Sequence, residues 1–368
     1  VSVDRILLTT DTVGGVWTYA LDLAGSLGEI GVETVLVTMG PPPCDAQRAA
    51  VASLAGVTLV ETDAALDWLA RDPDTIASAA HRIGAVAHAH GVDVVQLNAP
   101  ALAAGIDFGM PVVVVAHSCL ASWWDAVETG PLPEDFAWRD ALTRAGLLAA
   151  DVVVAPSHGF AAAVRRVHQL PATPRVVHNG RAPLLASQRP QASHAFTAGR
   201  LWDRGKDLDT LDRAAALGPP ILAAGPLVGP GGDTGRFDHL TCLGTLDAAT
   251  LGERLAMRPV FVSAALYEPF GLAVLEAAQA GCALVLSDIA TFRELWSDAA
   301  IFVAPRDAEG FAAAIEDLLA HPAERARRGA QAAKAAQRYT VAAMRDAMAA
   351  VYVSVTGADD RAGDRAAA

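Results

Sequence analysis

At 368 residues, 52% hydrophobic and 19% charged, the chain exceeds the usual ~100–200 residues of one domain and holds enough apolar material for two buried cores, which excludes a disordered or tail-like protein. A formal net charge of −13 without any cluster of Lys and Arg excludes nucleic acid as a partner through a general basic surface, because neutralising phosphates takes such clusters. Cysteines 44, 119, 242 and 282 show neither a disulfide framework nor a CxxC metal spacing, and there is no uninterrupted apolar stretch of transmembrane length and no basic-then-apolar leader. The expectation is a soluble, cytoplasmic protein with no stable membrane insertion.

Short β-branched runs alternate with longer Ala/Leu-rich amphipathic stretches, the rhythm of a parallel sheet covered by helices. In the first half the predicted strands are RILLTT (5–10), ETVLVTM (33–39), VTLVE (57–61), DVVQLN (93–98), PVVVVAH (111–117) and DVVVAPS (151–157). The polar segment 181–193, with two Pro and no period, reads as a linker. The rhythm then restarts with AFTAGR (195–200), PILAAG (220–225), HLTCLG (239–244), PVFVSA (259–264), ALVLSD (283–288) and AIFVAP (300–305). Helices follow near 307–319, 322–337 and 340–355. The predicted organisation is an N-terminal Rossmann-like domain over 1–180, a linker over 181–193, a second Rossmann-like domain over 194–338, a helix over 339–356 and a disordered tail over 357–368.

Ligands of open parallel sheets bind outside the carboxyl ends of the strands, so the residues just after each strand carry the search. Gly14 and Gly15 follow the first strand and open a helix, leaving backbone accessible to a ligand; a tight strand-to-helix turn explains the dipeptide equally well, and the spacing is not GxGxxG. His117 ends the run VVVVAH, with Trp123 and Trp124 shortly after it. Taken alone, such a histidine serves structure more often than catalysis. His88 and His90 are two residues apart on a predicted helix, a spacing that does not put both rings on one face for a metal.

Arg200 closes a strand and Lys206 stands six residues on, one of only two Lys in the chain. A planar fork of donors and a compact charge placed there suit a diphosphate, against the alternative of two solvated surface cations. The most specific signal is EPFGLAVLE (268–276), in which Glu268 follows a strand, Gly271 opens a helix and Glu276 stands on it. Helix N–H groups between two carboxylates suit a nucleotide sugar, with phosphate at the helix end and hydroxyls on either side. The strings DPD (72–74) and DLD (207–209) match a metal-binding pattern only literally, since neither ends an apolar strand.

Glu-x7-Glu in this context resembles the hallmark of the retaining family-4 glycosyltransferases of GT-B fold. GGV (14–16), His117, APS (155–157), HNG (178–180), GRL with Lys206 and LGTLDAATL (243–251) follow in the family's order, so the resemblance covers residues 5 to about 350. It implies two Rossmann-like domains facing a central cleft, with a C-terminal helix crossing back to the N-terminal domain. It implies a nucleotide-sugar donor whose diphosphate is held by Arg200, Lys206 and the N–H groups of Gly271 and Leu272 beside Phe270. Glu276 would take the ribose hydroxyls, Leu246 would lie near the base, and Glu268 near the reacting carbon. His117 would bond a sugar hydroxyl, Gly14 and Gly15 would admit the donor, and Trp123 and Trp124 are candidates for the acceptor side. Lys206 follows Gly205 where a Lys-Gly order is common.

The expected activity is retaining transfer of a sugar to an acceptor hydroxyl, with no essential metal and no cofactor. A GT-B phosphorylase or an epimerase would share the phosphate-binding groups, and activity separates them. A non-catalytic nucleotide-sugar-binding protein is disfavoured by the presence of both His117 and Glu268, and a nicotinamide dehydrogenase by the missing glycine spacing. Residues 1–180 hold nine Arg and no Lys against 19 acidic residues. That balance favours a saccharide or small-molecule acceptor over one embedded in an anionic membrane.

Overall fold

The structure, a computed structural model, describes residues 3–184 and 189–366, with side chains as far as residue 357. The described residues divide into two compact units, one drawn from the stretches 1–125, 129–180 and 341–368 and the other from 126–128 and 181–340.

In the first unit the order is β1 (Arg5–Thr10), α1 (Gly15–Glu29), β2 (Glu33–Thr38), α2 (Asp45–Ala52), β3 (Val57–Glu61), α3 (Pro73–His90), β4 (Val94–Leu97), β5 (Val112–Val115), α4 (Leu120–Val127), α5 (Glu134–Ala149), β6 (Val152–Ala155), α6 (His158–Val167) and β7 (Arg175–Val176). The strands form one parallel sheet in the order β3-β2-β1-β4-β5-β6-β7. Central strands such as the all-buried Val112–Val115 are apolar on both faces because helices cover both. Helix starts follow local chemistry: Asp72 accepts the Thr75 N–H ahead of Pro73, and Ser157 accepts that of Phe160. The two-residue edge strand β7 was not expected, since Pro171 and Pro174 leave only a short extended run there.

The second unit repeats the plan with β8 (Ala195–Ala198), α7 (Leu208–Ala216), β9 (Ile221–Ala224), β10 (Thr241–Cys242), α8 (Ala248–Ala256), β11 (Val260–Ser263), α9 (Leu272–Gln279), β12 (Leu284–Ser287), α10 (Ala290–Trp296), β13 (Ala300–Val303), α11 (Ala308–Ala320) and α12 (Pro322–Ala336). Its parallel sheet runs β10-β9-β8-β11-β12-β13. The expected strand 239–244 shrinks to the two-residue edge strand β10.

The last helix, α13 (Val341–Ala366), belongs to the first unit. Met344, Met348, Val351, Tyr352 and Val355 form a stripe at helical spacing that is buried in the core around α1 and β1. The helix also continues through Ala366, where the sequence reading ends ordered chain at residue 356. No Pro interrupts the segment. Residues 185–188 of the expected linker and the final two of the expected tail lie outside the described residues.

Candidate active site

Ligands of such sheets bind where the strand order reverses, which in the second unit is between β8 and β11. Lys206 lies in a tight turn after β8 and Glu268 in the loop after β11. Asp203, itself buried, accepts the Gly205 N–H at 2.9 Å and so shapes that turn. The Gly205 carbonyl in turn accepts the N–H groups of Leu266 and Tyr267 at 2.9 and 3.2 Å. These main-chain bonds fasten the loop after β11 to the turn after β8 and set Lys206 Nζ 2.5 Å from Glu268 Oε2. A recess of about 20 Å³, with room for about one water, connects the pair to Gly199, Ser263 and Ala273 in the first turn of α9.

Gly271 caps α9 at φ +93, a conformation that favours glycine, and a Cβ there would lie 3.3 Å from Glu268 Cγ and from Phe292 Cε1. The N–H groups of the first turn have no intrahelical carbonyl, and with the helix dipole they present positive potential toward an anion. Glu276, farther along α9, accepts from Arg181 Nε at 2.9 Å, with both side chains mostly buried.

The other expected donor residues belong to the same unit and differ in their contacts. Arg200 donates to Asp203 Oδ2 at 2.7 Å and lies over Trp202 at 5.6 Å, and it does not line the Lys206–Glu268 recess. The ring of Phe270 is buried edge-on against Tyr339. Leu272 and Leu246 are half-buried against the same core.

In the first unit the sheet reverses between β1 and β4. After β1, Gly14 and Gly15 are exposed, and a Cβ on Gly14 would meet nothing within 4 Å. Neither packing nor a positive φ demands glycine at residue 14. After β5, His117 Nε2 lies 3.0 Å from Asn98 Oδ1. Asn98 Nδ2 donates to the Thr9 carbonyl at 2.6 Å, which turns its oxygen toward the ring and makes Nε2 the protonated nitrogen. Gln96 Nε2 donates to the same oxygen at 3.1 Å and to Tyr19 at 3.2 Å, and Tyr352 of α13 donates to Gln96 Oε1. Tyr19 also meets His117 edge-on at 4.5 Å. Burial pulls the imidazole down to about 3, so it is neutral at neutral pH.

Trp123 and Trp124 share α4 with ring centroids 6.3 Å apart, both partly exposed. Trp124 Nε1 donates to the Gly130 carbonyl at 3.2 Å. Sequence reasoning missed Asn98, Asp203 and Arg181, the partners of His117, Arg200 and Glu276. Asp203 stood three residues from Arg200, a signal available in the sequence. The other two pairs are 19 and 95 residues apart.

All four cysteines are free. Among the described residues no helix is long and apolar enough to cross a membrane.

The model of Glycosyltransferase Family 4 matches residues 13–182, and that of Glycosyl transferases group 1 matches residues 234–335. The chain is 35% identical over 123 residues to a phosphatidyl-myo-inositol mannosyltransferase of Mycolicibacterium smegmatis, covering 33% of this chain and 32% of that protein. It is 41% identical over 111 residues to a glycogen synthase of Mycobacterium tuberculosis, covering 29% and 23%. The chain thus matches about a third or less of the length of these relatives. Among solved structures, sucrose-phosphate synthase from Thermosynechococcus elongatus superposes with a TM-score of 0.76 at 20% identity, covering 96% of this chain and all of that one. Anabaena HepE in complex with UDP-glucose superposes at 0.73 with 17% identity, covering 95% and 99%. Two parallel sheets with helices on both faces, the structural likeness, and two family models that match in order across both units identify the chain as a member of the family-4 glycosyltransferases of GT-B fold.

Proposed function

We propose that the protein transfers a sugar, with retention of anomeric configuration, from a nucleoside-diphosphate sugar to a hydroxyl of a saccharide or small molecule. The observation that carries this reading is the Lys206–Glu268 pair at the reversal point of the second sheet, beside the N-terminus of α9 and with Glu276 on that helix. The bond from the sugar's anomeric carbon to the diphosphate oxygen breaks, and its electron pair goes to the diphosphate. Lys206, Arg200 and the N–H groups at Gly271 and Leu272 stabilise the charge that gathers there. The acceptor oxygen bonds the same face of the carbon, and its proton passes to the departing phosphate oxygen, so no side chain has to serve as general base.

Glu268 lies close enough to Lys206 to meet the sugar end of the donor, and Glu276 takes the ribose hydroxyls. The neutral His117, with Nδ1 as an acceptor, bonds a sugar hydroxyl. Gly14 and Gly15 let the donor approach the backbone, Leu246 borders the base, and Trp123 and Trp124 offer apolar faces to the acceptor. The HepE complex with UDP-glucose makes uridine donors the first to try.

The reaction proceeds without an essential metal, the positive groups just named supplying the stabilisation a cation would give. The test is a transfer assay with UDP- and GDP-sugars and a panel of saccharide acceptors, with and without EDTA, and with NMR of the product anomer. Transfer that survives EDTA and keeps the donor's configuration supports the reading. An inverted product, abolition by EDTA with rescue by a divalent ion, or phosphorolysis in place of transfer would overturn the corresponding part of it.

A further inference from the structure

Arg181 is the first residue of the second unit after the chain leaves the first, and Thr340 is the last before it returns. Three bonds from Arg181 converge on this region. Its Nε donates to Glu276 Oε1 at 2.9 Å, its carbonyl accepts from Gln279 Nε2 at 2.7 Å, and its N–H donates to the Tyr339 carbonyl at 3.3 Å. The Tyr339 ring packs against Phe270 and Trp296. The helix that carries Glu276 is therefore fastened through one arginine to both ends of the unit's main segment.

A carboxylate on a helix, 11% exposed, can rotate about its side-chain torsions unless a neighbour holds it. The planar guanidinium fork supplies that hold from a backbone that is itself pinned at two points. We propose that Arg181 is a positioning residue that holds the Glu276 carboxylate in the orientation that receives the ribose hydroxyls of the donor nucleotide. The proposal rests on the reading of Glu276 as the ribose ligand. It adds that the chain crossing at residue 181 supports recognition of the ribose.

The readout is discrimination between ribose and deoxyribose. Calorimetry compares UDP with 2′-deoxy-UDP, and GDP with 2′-deoxy-GDP, for wild type, Arg181→Met, Arg181→Gln, Arg181→Lys and Glu276→Gln, each checked for folding by its thermal midpoint. Wild type is expected to favour the ribonucleotide about tenfold or more, in keeping with hydrogen bonds to a charged group. Arg181→Met and Arg181→Gln should bring that ratio toward one, and Arg181→Lys should restore part of it. Arg181→Gln keeps the position polar and serves if the Met variant does not fold.

A ratio unchanged in the Arg181 variants but lost in Glu276→Gln overturns the proposal and leaves the Glu276 reading intact. Equal losses for both nucleotides in the Arg181 variants, the sign of direct contact with the diphosphate, overturn it as well. A wild type that binds nucleotides with no ribose preference, or a ratio unmoved by Glu276→Gln, overturns both readings.

Discussion

Lys206 Nζ stands 2.5 Å from Glu268 Oε2 although 62 residues separate the two. The ammonium has three donors, so it can keep this partner and still meet a diphosphate, while the carboxylate keeps the cation aimed. Lys206→Ala removes a charge-assisted donor and leaves a mostly buried carboxylate beside the anion's place. Calorimetry should show nucleoside-diphosphate affinity lower by about 1.5–3 kcal/mol, near the strength of a hydrogen bond to a charged group. The Lys206→Ala, Glu268→Gln double variant should regain part of that loss, and strict additivity of the two changes would argue against coupling through the pair.

Arg200→Ala should also weaken nucleoside-diphosphate binding, and with a cost to the fold, because it strips buried Asp203 of its guanidinium partner. Unchanged affinity in a folded Arg200→Ala protein would remove Arg200 from the donor site.

Gly271 and Gly14 make opposite predictions. Gly271→Ala forces a Cβ into a left-handed conformation, 3.3 Å from Glu268 and Phe292, and should cost about 1–3 kcal/mol of stability in denaturant titration along with activity. Gly14→Ala meets no protein atom within 4 Å, so its thermal midpoint should match wild type while donor affinity falls. Normal donor binding by Gly14→Ala would leave the turn without a ligand role.

His117 gives a pH dependence whose sign is determined. The ring is held near pH 3 in the folded protein and titrates near 6.5 when unfolded. Above 6.5 both states are neutral and the group contributes nothing. Between 6.5 and 3 only the unfolded chain takes up the proton, so stability falls as pH falls, by up to about 1.4 kcal/mol per unit. Urea titrations across pH 7 to 4 should show a shallower acid decline for His117→Asn, and an equal decline would mean that His117 is solvated enough to titrate normally.

The acidic balance of residues 1–180 predicts little binding to anionic vesicles. Co-sedimentation with phosphatidylglycerol liposomes at low salt should leave the protein in the supernatant. Strong, salt-sensitive pelleting would point instead to a lipid-linked acceptor.

The alternation of β-branched runs with Ala/Leu-rich stretches marked the strands of both sheets, except the two-residue β7, from the sequence alone, because strand and helix periods are local properties of the chain. The same holds for Gly271 at the start of α9 and for Glu276 on that helix. Partner choice was decided only by the tertiary structure. Lys206 meets Glu268 because the β11 loop donates its N–H groups to the Gly205 carbonyl, and Arg181 reaches Glu276 across 95 residues. His117 is neutral because burial strips its ring of water, and Asn98, just after β4, accepts a hydrogen bond from its Nε2. Such pairings follow from which strands lie side by side after the crossovers, and periodicity carries no record of that adjacency.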